Sequence, residues 1–239
     1  MSQANTTFQG VLFDLDGTLI DTADDFVMCL NELRTEAGLS PLPDAEIRKV
    51  VSDGARAMIK LCFDLSEHDE GLDELRHKFL DLYLNNIARK SRLFDGLEDT
   101  VNWCNDNQIP WGIVTNKGRK YSEALINALK LDKTIGTLVC PDDVTNTKPH
   151  PEPLLKACAE INLEPEQCVY VGDHARDIES GKRANMPTIA AAYGYIHSEE
   201  EAKAWQADWY VETSQALNTL LQSILRQANG NSSPQAANH

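Results

Sequence analysis

The sequence predicts an α/β fold in which a parallel sheet carries helices on both faces and a helical segment is inserted near its start. From residue 97 onward, apolar runs typical of buried strands alternate with stretches of helical periodicity, a pattern typical of parallel sheets. Residues 21–90 show helical periodicity without an intervening strand pattern. Because an apolar run at residues 11–13 precedes this helical stretch, we interpret the stretch as an insertion after the first strand.

The inserted segment is expected to contain four helices. The first begins after Asp21 or Thr22, which can cap it, and stops at Gly38. Two shorter helices are predicted at residues 45–51 and 55–63, and a longer one presents apolar side chains on one face at Leu72, Leu75, Phe79 and Leu82.

In the rest of the chain, predicted strands and helices alternate. Strands are predicted at residues 111–115, 136–140, 169–172, 188–192 and 209–211. Helices are predicted at residues 97–107, 119–130, 151–161, 176–185 and 215–227.

Composition narrows the class of partner. Lys and Arg number 22 against 37 Asp and Glu, so the net charge of −15 argues against a nucleic-acid partner. No apolar stretch reaches the ~20 residues of a membrane span, and the first residues lack the basic charge of a signal peptide. The six cysteines form no Cys-x-x-Cys pair, which favours reduced thiols and a cytoplasmic location.

Two acidic residues follow the first apolar run. Asp14 and Asp16 stand in the motif Asp-Leu-Asp-Gly-Thr at residues 14–18, directly after Phe13. Alternate strand residues point to opposite faces, so both carboxylates can serve one site only if the backbone turns just after Asp14. Gly17 supplies the conformational freedom for that turn.

Three further polar pairs follow other apolar runs. They are Thr115-Asn116, Lys148-Pro149 and Gly172-Asp173. In a parallel sheet the carboxyl ends of the strands line one crevice, which is where ligands of open α/β folds bind. A hydroxyl, an ammonium and several carboxylates are therefore expected at one edge. Such an acidic chain needs local cations to hold a phosphate dianion, and Lys148 with a divalent metal would supply them.

In this order the pairs resemble the four motifs of the haloacid dehalogenase superfamily, from about Phe8 to Leu225. The resemblance implies a HAD-like Rossmannoid core. It implies that Asp14 is the nucleophile that forms an aspartyl-phosphate and that Asp16 is the general acid and base. Thr115 and Lys148 would bind the phosphoryl oxygens, helped by backbone amides near Asp16 and Asn116.

The resemblance also implies a Mg²⁺ site, because hard oxygen ligands suit that ion. Asp14 and Asp173 would bind it directly, and Asp16 through its backbone carbonyl. Asp177 would bind through water or hold the motif lysine, with helix capping as the alternative. His174 stands where relatives often have Asp or a small polar residue, which leaves the metal affinity open.

The resemblance further divides the chain into domains. The core would comprise residues 8–20 and 93–227, and residues 21–92 would form a helical cap domain. Hinges are expected near residues 19–21 and 92–95, so that the cap closes over substrate. Residues 1–7 and 228–239 are expected to be disordered. Oligomeric state, monomer or homodimer, stays open.

The second acid of the Asp-x-Asp pair is absent from haloacid dehalogenases, so dehalogenation is disfavoured. A phosphatase, a phosphosugar mutase or a phosphonate hydrolase remains. The last needs a cap lysine, and neither Lys49 nor Lys60 is obviously buried. A phosphate-binding protein without turnover is the rival from another class; its signature would be a lost motif residue, and none is missing.

As a whole the chain resembles phosphoglycolate phosphatase-like enzymes. Four strings bring it nearer to the N-acetylmuramic acid 6-phosphate phosphatases of cell-wall recycling: SDGARAM at 52–58, CPDDV at 140–144, DIESG at 177–181 and YGYIH at 193–197. Both candidate substrates are small phosphorylated metabolites that carry a carboxylate. We hypothesise that Arg56 binds that carboxylate in bidentate fashion, with a packing role as the alternative.

Overall fold

The first apolar run forms the central strand of a six-stranded sheet. The computed structural model describes residues 8–225 of the chain, so the predicted disordered ends, 1–7 and 228–239, lie outside it. The strands are β1 Gly10–Phe13, β2 Ile20–Asp21, β3 Arg92–Leu93, β4 Trp111–Val114, β5 Thr137–Val139, β6 Cys168–Gly172, β7 Thr188–Ala191 and β8 Trp209–Val211. The helices are α1 Ala23–Glu36, α2 Asp44–Arg48, α3 Ala55–Phe63, α4 Leu72–Asn85, α5 Leu97–Asp106, α6 Arg119–Ala128, α7 Glu152–Glu160, α8 Ala175–Arg183, α9 Glu199–Ala204 and α10 Ser214–Ile224.

The large sheet is parallel throughout, with the strand order β5-β4-β1-β6-β7-β8. Phe13 of β1 is in register with Ile113 of β4 and with Val171 of β6. The three central strands therefore end at one level. The polar residues that follow them emerge side by side, as the sequence predicts.

Strand residues alternate between two apolar layers, as expected for a sheet covered on both faces. Val11 and Phe13 belong to a core that includes side chains of α5, α6 and α10. Leu12 belongs to a second core that includes side chains of α7. The predicted arrangement of helices on both faces is thus confirmed.

The inserted segment has its own apolar core. Helices α1 to α4 pack around Leu30, Phe26, Phe79 and Tyr83. The chain enters and leaves this segment through the antiparallel pair β2 and β3, in which Ile20 faces Leu93. This pair coincides with the segments for which the sequence predicts hinges.

A buried carboxylate fastens the end of the insert to its beginning. Asp25 of α1 is fully buried. It accepts hydrogen bonds from the backbone N–H groups of Lys90 and Ser91 and from the Ser91 hydroxyl. Because a buried carboxylate needs such donors, these bonds fix the exit of the insert against α1.

Several elements differ from the sequence-based expectation. Helix α2 ends at Arg48, earlier than predicted. The short strands β2 and β3 and helix α9 were not predicted. Helix α9 has one buried residue, Ala202, so it lacks the apolar periodicity that signals a helix.

The cysteine prediction is confirmed. All six cysteines are buried and free: Cys29, Cys62, Cys104, Cys140, Cys158 and Cys168. No helix within residues 8–225 has the length and apolar character that a membrane crossing requires.

Candidate active site

The turn after β1 places the first acidic residue in the crevice. The backbone N–H of Asp14 still donates to the Val171 carbonyl of β6, at 2.9 Å. Gly17 then takes a positive φ of 82°. A Cβ at this position would lie 2.2 Å from the Asp173 carboxylate, so only glycine fits. The predicted role of Gly17 in turning the chain is confirmed.

Lys148 is buried at the centre of the site, with its side chain 1% exposed. Its ammonium lies 2.9 Å from Asp14 Oδ1 and 2.8 Å from Asp177 Oδ1. It also donates to the Val114 carbonyl at 2.9 Å and to the Tyr170 hydroxyl at 2.8 Å. Burial opposes the charge of Lys148, but the two carboxylates outweigh it and the pKa of Lys148 is raised.

The two carboxylates that pair with Lys148, those of Asp14 and Asp177, lie close to a third, that of Asp173. Oxygen atoms of Asp14, Asp173 and Asp177 all lie within 4.8 Å of one another. Burial, together with the charges of Asp14 and Asp177, raises the pKa of Asp173 to about 7. The pKa of Asp14 is also raised, because burial outweighs the opposing effect of Lys148. Three clustered acids, two of which share one lysine, leave negative charge unbalanced, and an all-oxygen donor set suits Mg²⁺. The residues therefore fit the predicted metal.

Asp173 is held by three donors that sequence reasoning did not identify. The Thr18 hydroxyl donates to Oδ1 at 2.9 Å. The Tyr195 backbone N–H and the Ser52 hydroxyl donate to Oδ2 at 2.9 Å and 2.8 Å. Thr18 lies inside the opening motif, so its place in the sequence could have identified it as a site residue. Ser52 belongs to the insert, and no local pattern links it to Asp173.

Asp177 combines two of the roles considered for it. Its Oδ1 pairs with Lys148, while its Oδ2 accepts from the His174 backbone N–H at 3.1 Å and so caps α8. The Nε2 atom of His174 lies 3.3 Å from Asp53 of the insert and not in the acidic cluster. His174 therefore links the core to the insert.

Asp16 faces away from the cluster of three acids. Its Oδ1 accepts from the Thr22 hydroxyl at 2.7 Å and lies 2.9 Å from the Lys117 ammonium. That ammonium also lies 4.6 Å from the ring centroids of both Phe26 and Tyr83. Sequence reasoning missed Lys117, although its place directly after Thr115-Asn116 was a signal.

The loop after β4 supports the loop that carries the lysine. The Asn116 side chain accepts from the Lys148 backbone N–H at 3.2 Å and donates to the Lys148 carbonyl at 3.0 Å. Thr115 is buried, and its hydroxyl oxygen accepts from the Lys117 N–H at 3.1 Å. The Thr115 hydroxyl proton is thus available to a ligand oxygen.

A cavity of about 720 Å³ lies between the sheet edge and the insert. Asp14, Thr115 and Lys148 line it from the core side. Arg56 lines it from the insert, where its guanidinium is bonded to Glu67 at 2.6 Å and Asp73 at 2.7 Å. The structure thus brings together all the predicted site residues around one cavity or its acidic cluster. The carboxylate-binding role of Arg56 stays a prediction.

Comparisons with known proteins agree with this geometry. The chain is 41% identical over 217 residues to N-acetylmuramic acid 6-phosphate phosphatase of Pseudomonas putida, covering 91% of this chain and 97% of that protein. It is 38% identical over 205 residues to phosphoglycolate phosphatase of Xanthomonas campestris, covering 85% and 92%. A crystal structure of a predicted phosphoglycolate phosphatase from Haemophilus somnus superposes with a TM-score of 0.78 at 22% identity, covering 92% and 99%.

The family model for haloacid dehalogenase-like hydrolases matches residues 11–191. This range contains all four motif segments and the whole inserted segment. The acid pair after β1, the hydroxyl after β4, the buried lysine and the acids after β6 thus occur in the order and the fold of that family. The chain belongs to the haloacid dehalogenase-like hydrolase family.

Proposed function

We propose that the protein is a Mg²⁺-dependent phosphomonoesterase that acts on a small phosphorylated metabolite carrying a carboxylate. N-acetylmuramic acid 6-phosphate is the favoured substrate and 2-phosphoglycolate the second. One observation carries the proposal: Lys148, 1% exposed, joins Asp14 to Asp177 beside Thr115 at the base of a cavity. The site thus holds a carboxylate nucleophile within reach of groups that bind a phosphoryl oxygen.

In the first half of the reaction, a carboxylate oxygen of Asp14 attacks phosphorus and the bond to the leaving oxygen breaks. Asp16 donates a proton to that oxygen. Lys148 and the Thr115 hydroxyl stabilise the charge that spreads over the phosphoryl oxygens. The many contacts of Lys148 fix its ammonium beforehand, so little reorganisation is needed during the transfer.

In the second half, water attacks phosphorus of the aspartyl-phosphate and Asp16 takes its proton. Asp14 is released and inorganic phosphate leaves. Asp14 and Asp173, with Asp177 beside them, would hold Mg²⁺, which would neutralise phosphate charge when bound. Burial first, and then the charges of neighbouring acids, raise the pKa values of Asp14 and Asp173, and a bound cation would offset both effects.

Two observations support a sugar phosphate over the smaller 2-phosphoglycolate. The cavity measures about 720 Å³, and cavities of about 300–1,000 Å³ hold ligands of drug size. The relative at 41% identity is named for N-acetylmuramic acid 6-phosphate, whereas the one at 38% is named for phosphoglycolate.

The inserted segment, residues 21–92, is proposed to act as a cap that closes over the substrate and excludes water. Its link to the core through β2 and β3 and its contacts through Ser52 and Asp53 support this role. Linking the cap covalently to the core should lower turnover, because product release requires opening. The six free cysteines are consistent with the proposed cytoplasmic location.

A panel of substrates tests the proposed reaction. Purified protein with Mg²⁺ is assayed on N-acetylmuramic acid 6-phosphate, 2-phosphoglycolate, other sugar phosphates and a nucleotide monophosphate. We expect the highest kcat/KM on the first, and mass spectrometry of quenched turnover should place a phosphoryl group on Asp14. Lack of hydrolysis across the panel would contradict the proposal. Transfer of the phosphoryl group to a second sugar hydroxyl would indicate the mutase instead.

A further inference from the structure

One cation in the cavity lining has neither a hydrogen-bond nor an ion-pair partner among the described residues. Five Lys and Arg side chains line it: Arg56, Arg76, Lys117, Lys148 and Arg176. Within residues 8–225, three of them pair with carboxylates, and Arg176 bonds to the Ser52 carbonyl and the His174 ring. Arg76 makes no hydrogen bond or ion pair to any described residue, although it lies in a chain with a large acidic excess.

Arg76 belongs to a face of α4 that lines the cavity. Leu80 and Tyr83 follow it at successive helical turns, and all three side chains border the same space. Tyr121 of α6 lies across from them. Burial and Asp81 raise the pKa of Tyr121, while the charges of Arg76 and Lys117 lower it, so both cations act on the region around the Tyr121 hydroxyl.

The same face carries a polar group without a partner. Tyr83 is 1% exposed. Its hydroxyl has no hydrogen-bond partner among the residues that the structure describes. A buried hydroxyl without a partner is destabilising, so this position has spare capacity for a ligand or a bound water.

Aromatic rings connect these polar groups. The ring centroids of Phe26 and Tyr83 are 4.4 Å apart, and those of Tyr83 and Tyr121 are 6.2 Å apart. The three rings form an aromatic row along the cavity wall, and Arg76 lies on α4, the helix that carries Tyr83. Such a wall suits a ring-shaped ligand that has an apolar face and one anionic substituent.

We propose that Arg76 determines specificity by binding the carboxylate of the substrate's leaving group. This inference rests on the proposed phosphomonoesterase function. Arg76 is favoured over Arg56, because the Arg56 guanidinium already holds Glu67 and Asp73. A guanidinium without such partners can donate two hydrogen bonds to a carboxylate without first breaking an ion pair.

Two substrates that differ only in the carboxylate-bearing group test the proposal. N-acetylmuramic acid 6-phosphate carries a lactyl ether that N-acetylglucosamine 6-phosphate lacks. The ratio of their kcat/KM values is measured for wild type, Arg76→Met and Arg76→Lys. We expect the ratio to fall by about 10- to 100-fold in Arg76→Met, the range for a lost hydrogen bond between charged groups. Arg76→Lys should recover part of it.

Lys78→Met serves as the matched control, because Lys78 lies on α4, outside the cavity lining, and pairs with Glu74. It should leave the ratio at its wild-type value. Arg56→Met should change the ratio less than Arg76→Met does. Circular dichroism and the Tm of each variant show whether it is folded.

Equal losses on both substrates in Arg76→Met, or a larger fall of the ratio in Arg56→Met, would overturn the assignment of Arg76. A wild-type ratio near one would also overturn it. Binding supplies a readout independent of turnover: by calorimetry, Asp14→Asn should bind N-acetylmuramic acid 6-phosphate more tightly than Asp14→Asn combined with Arg76→Met. If wild type hydrolyses no phosphomonoester while this difference persists, the proposed reaction fails but the Arg76 site stands.

Discussion

The two halves of the cavity are built differently. On the core side, Lys148 is fixed by four contacts of 2.8–2.9 Å. On the insert side, Arg76 has no bonding partner among the described residues and the Tyr83 hydroxyl has none either. In the core half the central cation already has its bonding partners before a ligand binds. In the insert half, a guanidinium and a hydroxyl can still form hydrogen bonds to a ligand.

This difference indicates a division of labour. A phosphoryl transfer depends on groups that are already in position when charge develops, so fixed contacts favour rate. Recognition of a particular leaving group depends on polar groups that only the correct ligand satisfies. Polar groups without partners therefore favour discrimination between substrates. Changes in the core half should therefore lower turnover on every phosphomonoester, and changes in the insert half should alter the choice among them.

The largest expected effect comes from removing the proposed nucleophile. Asp14→Asn should lower kcat by about 10⁴-fold or more on all substrates, a loss typical of central catalytic groups. Its Tm should not fall, because burial disfavours the charge of Asp14 and raises its pKa. Steady-state kinetics and thermal unfolding measure the two effects. Turnover near the wild-type rate would place the nucleophile elsewhere.

Replacing the buried lysine should affect both stability and rate. Lys148→Met leaves Asp14 and Asp177 without their cation, which should lower the free energy of unfolding by about 3–5 kcal/mol at pH 8. The loss should be smaller at pH 5, because burial raises the pKa of Asp14 and this acid is then closer to its uncharged form. Urea unfolding measures this loss, with Lys156→Met as the control, because the Lys156 side chain pairs with Glu160 but is 39% exposed. An equal loss of unfolding free energy in the two variants would contradict the prediction that the burial of Lys148 causes the large effect.

The acidic cluster should make Mg²⁺ binding depend on pH. In the folded protein without metal, the pKa of Asp173 is about 7, above its ordinary value of 3.8. Folding thus favours the protonated acid, and stability in EDTA should fall as pH rises from about 4 to about 7. Above that range the carboxylate is free for metal, so Mg²⁺ should raise the Tm more at pH 8 than at pH 5.

Asp173→Asn serves as the control for this pH dependence. It should flatten the fall in stability and remove most of the Mg²⁺ effect, as followed by thermal unfolding with and without the ion. A Mg²⁺-induced rise in Tm of the same size at both pH values in wild type would contradict the assignment.

A smaller effect is expected where the two halves meet. Lys117 pairs with Asp16 of the core and contacts Phe26 and Tyr83 of the insert. Lys117→Met should lower kcat/KM by about 10-fold, because Asp16 loses a hydrogen bond to a charged group. Lys120→Met, one turn further and outside the cavity lining, is the matched control. If the two variants had the same kcat/KM, the proposed role of Lys117 in the site would be contradicted.

Much of the core half could be predicted from the sequence, because its signals are local. Asp14, Thr115 and Asp173 follow directly on strands of apolar residues, and Lys148 lies in the loop beyond another strand. A parallel sheet brings the carboxyl ends of its strands to one edge. Asp14, Thr115, Lys148 and Asp173 were found in this way. Gly17 was also identified, since the required turn depends on a single residue.

The contacts between the halves could not be predicted, because they depend on packing between distant segments. Ser52 meets Asp173, and Lys117 meets Phe26 and Tyr83, only after the insert is placed against the sheet edge. The pairing of Arg56 with Glu67 and Asp73 depends on how α3 and α4 pack. Helix periodicity identifies the apolar face of each helix but not the partner of each charge.

The pairing of Ile20 with Leu93 has a consequence for engineering. Since the two junctions of the insert lie side by side, one insert can be exchanged for that of a relative without rerouting the strands of the large sheet. Such a chimera would keep the hydrolytic machinery of this chain and take its substrate range from the donor. The β2 and β3 pair thus marks the two positions at which the insert, and with it the substrate preference, can be exchanged.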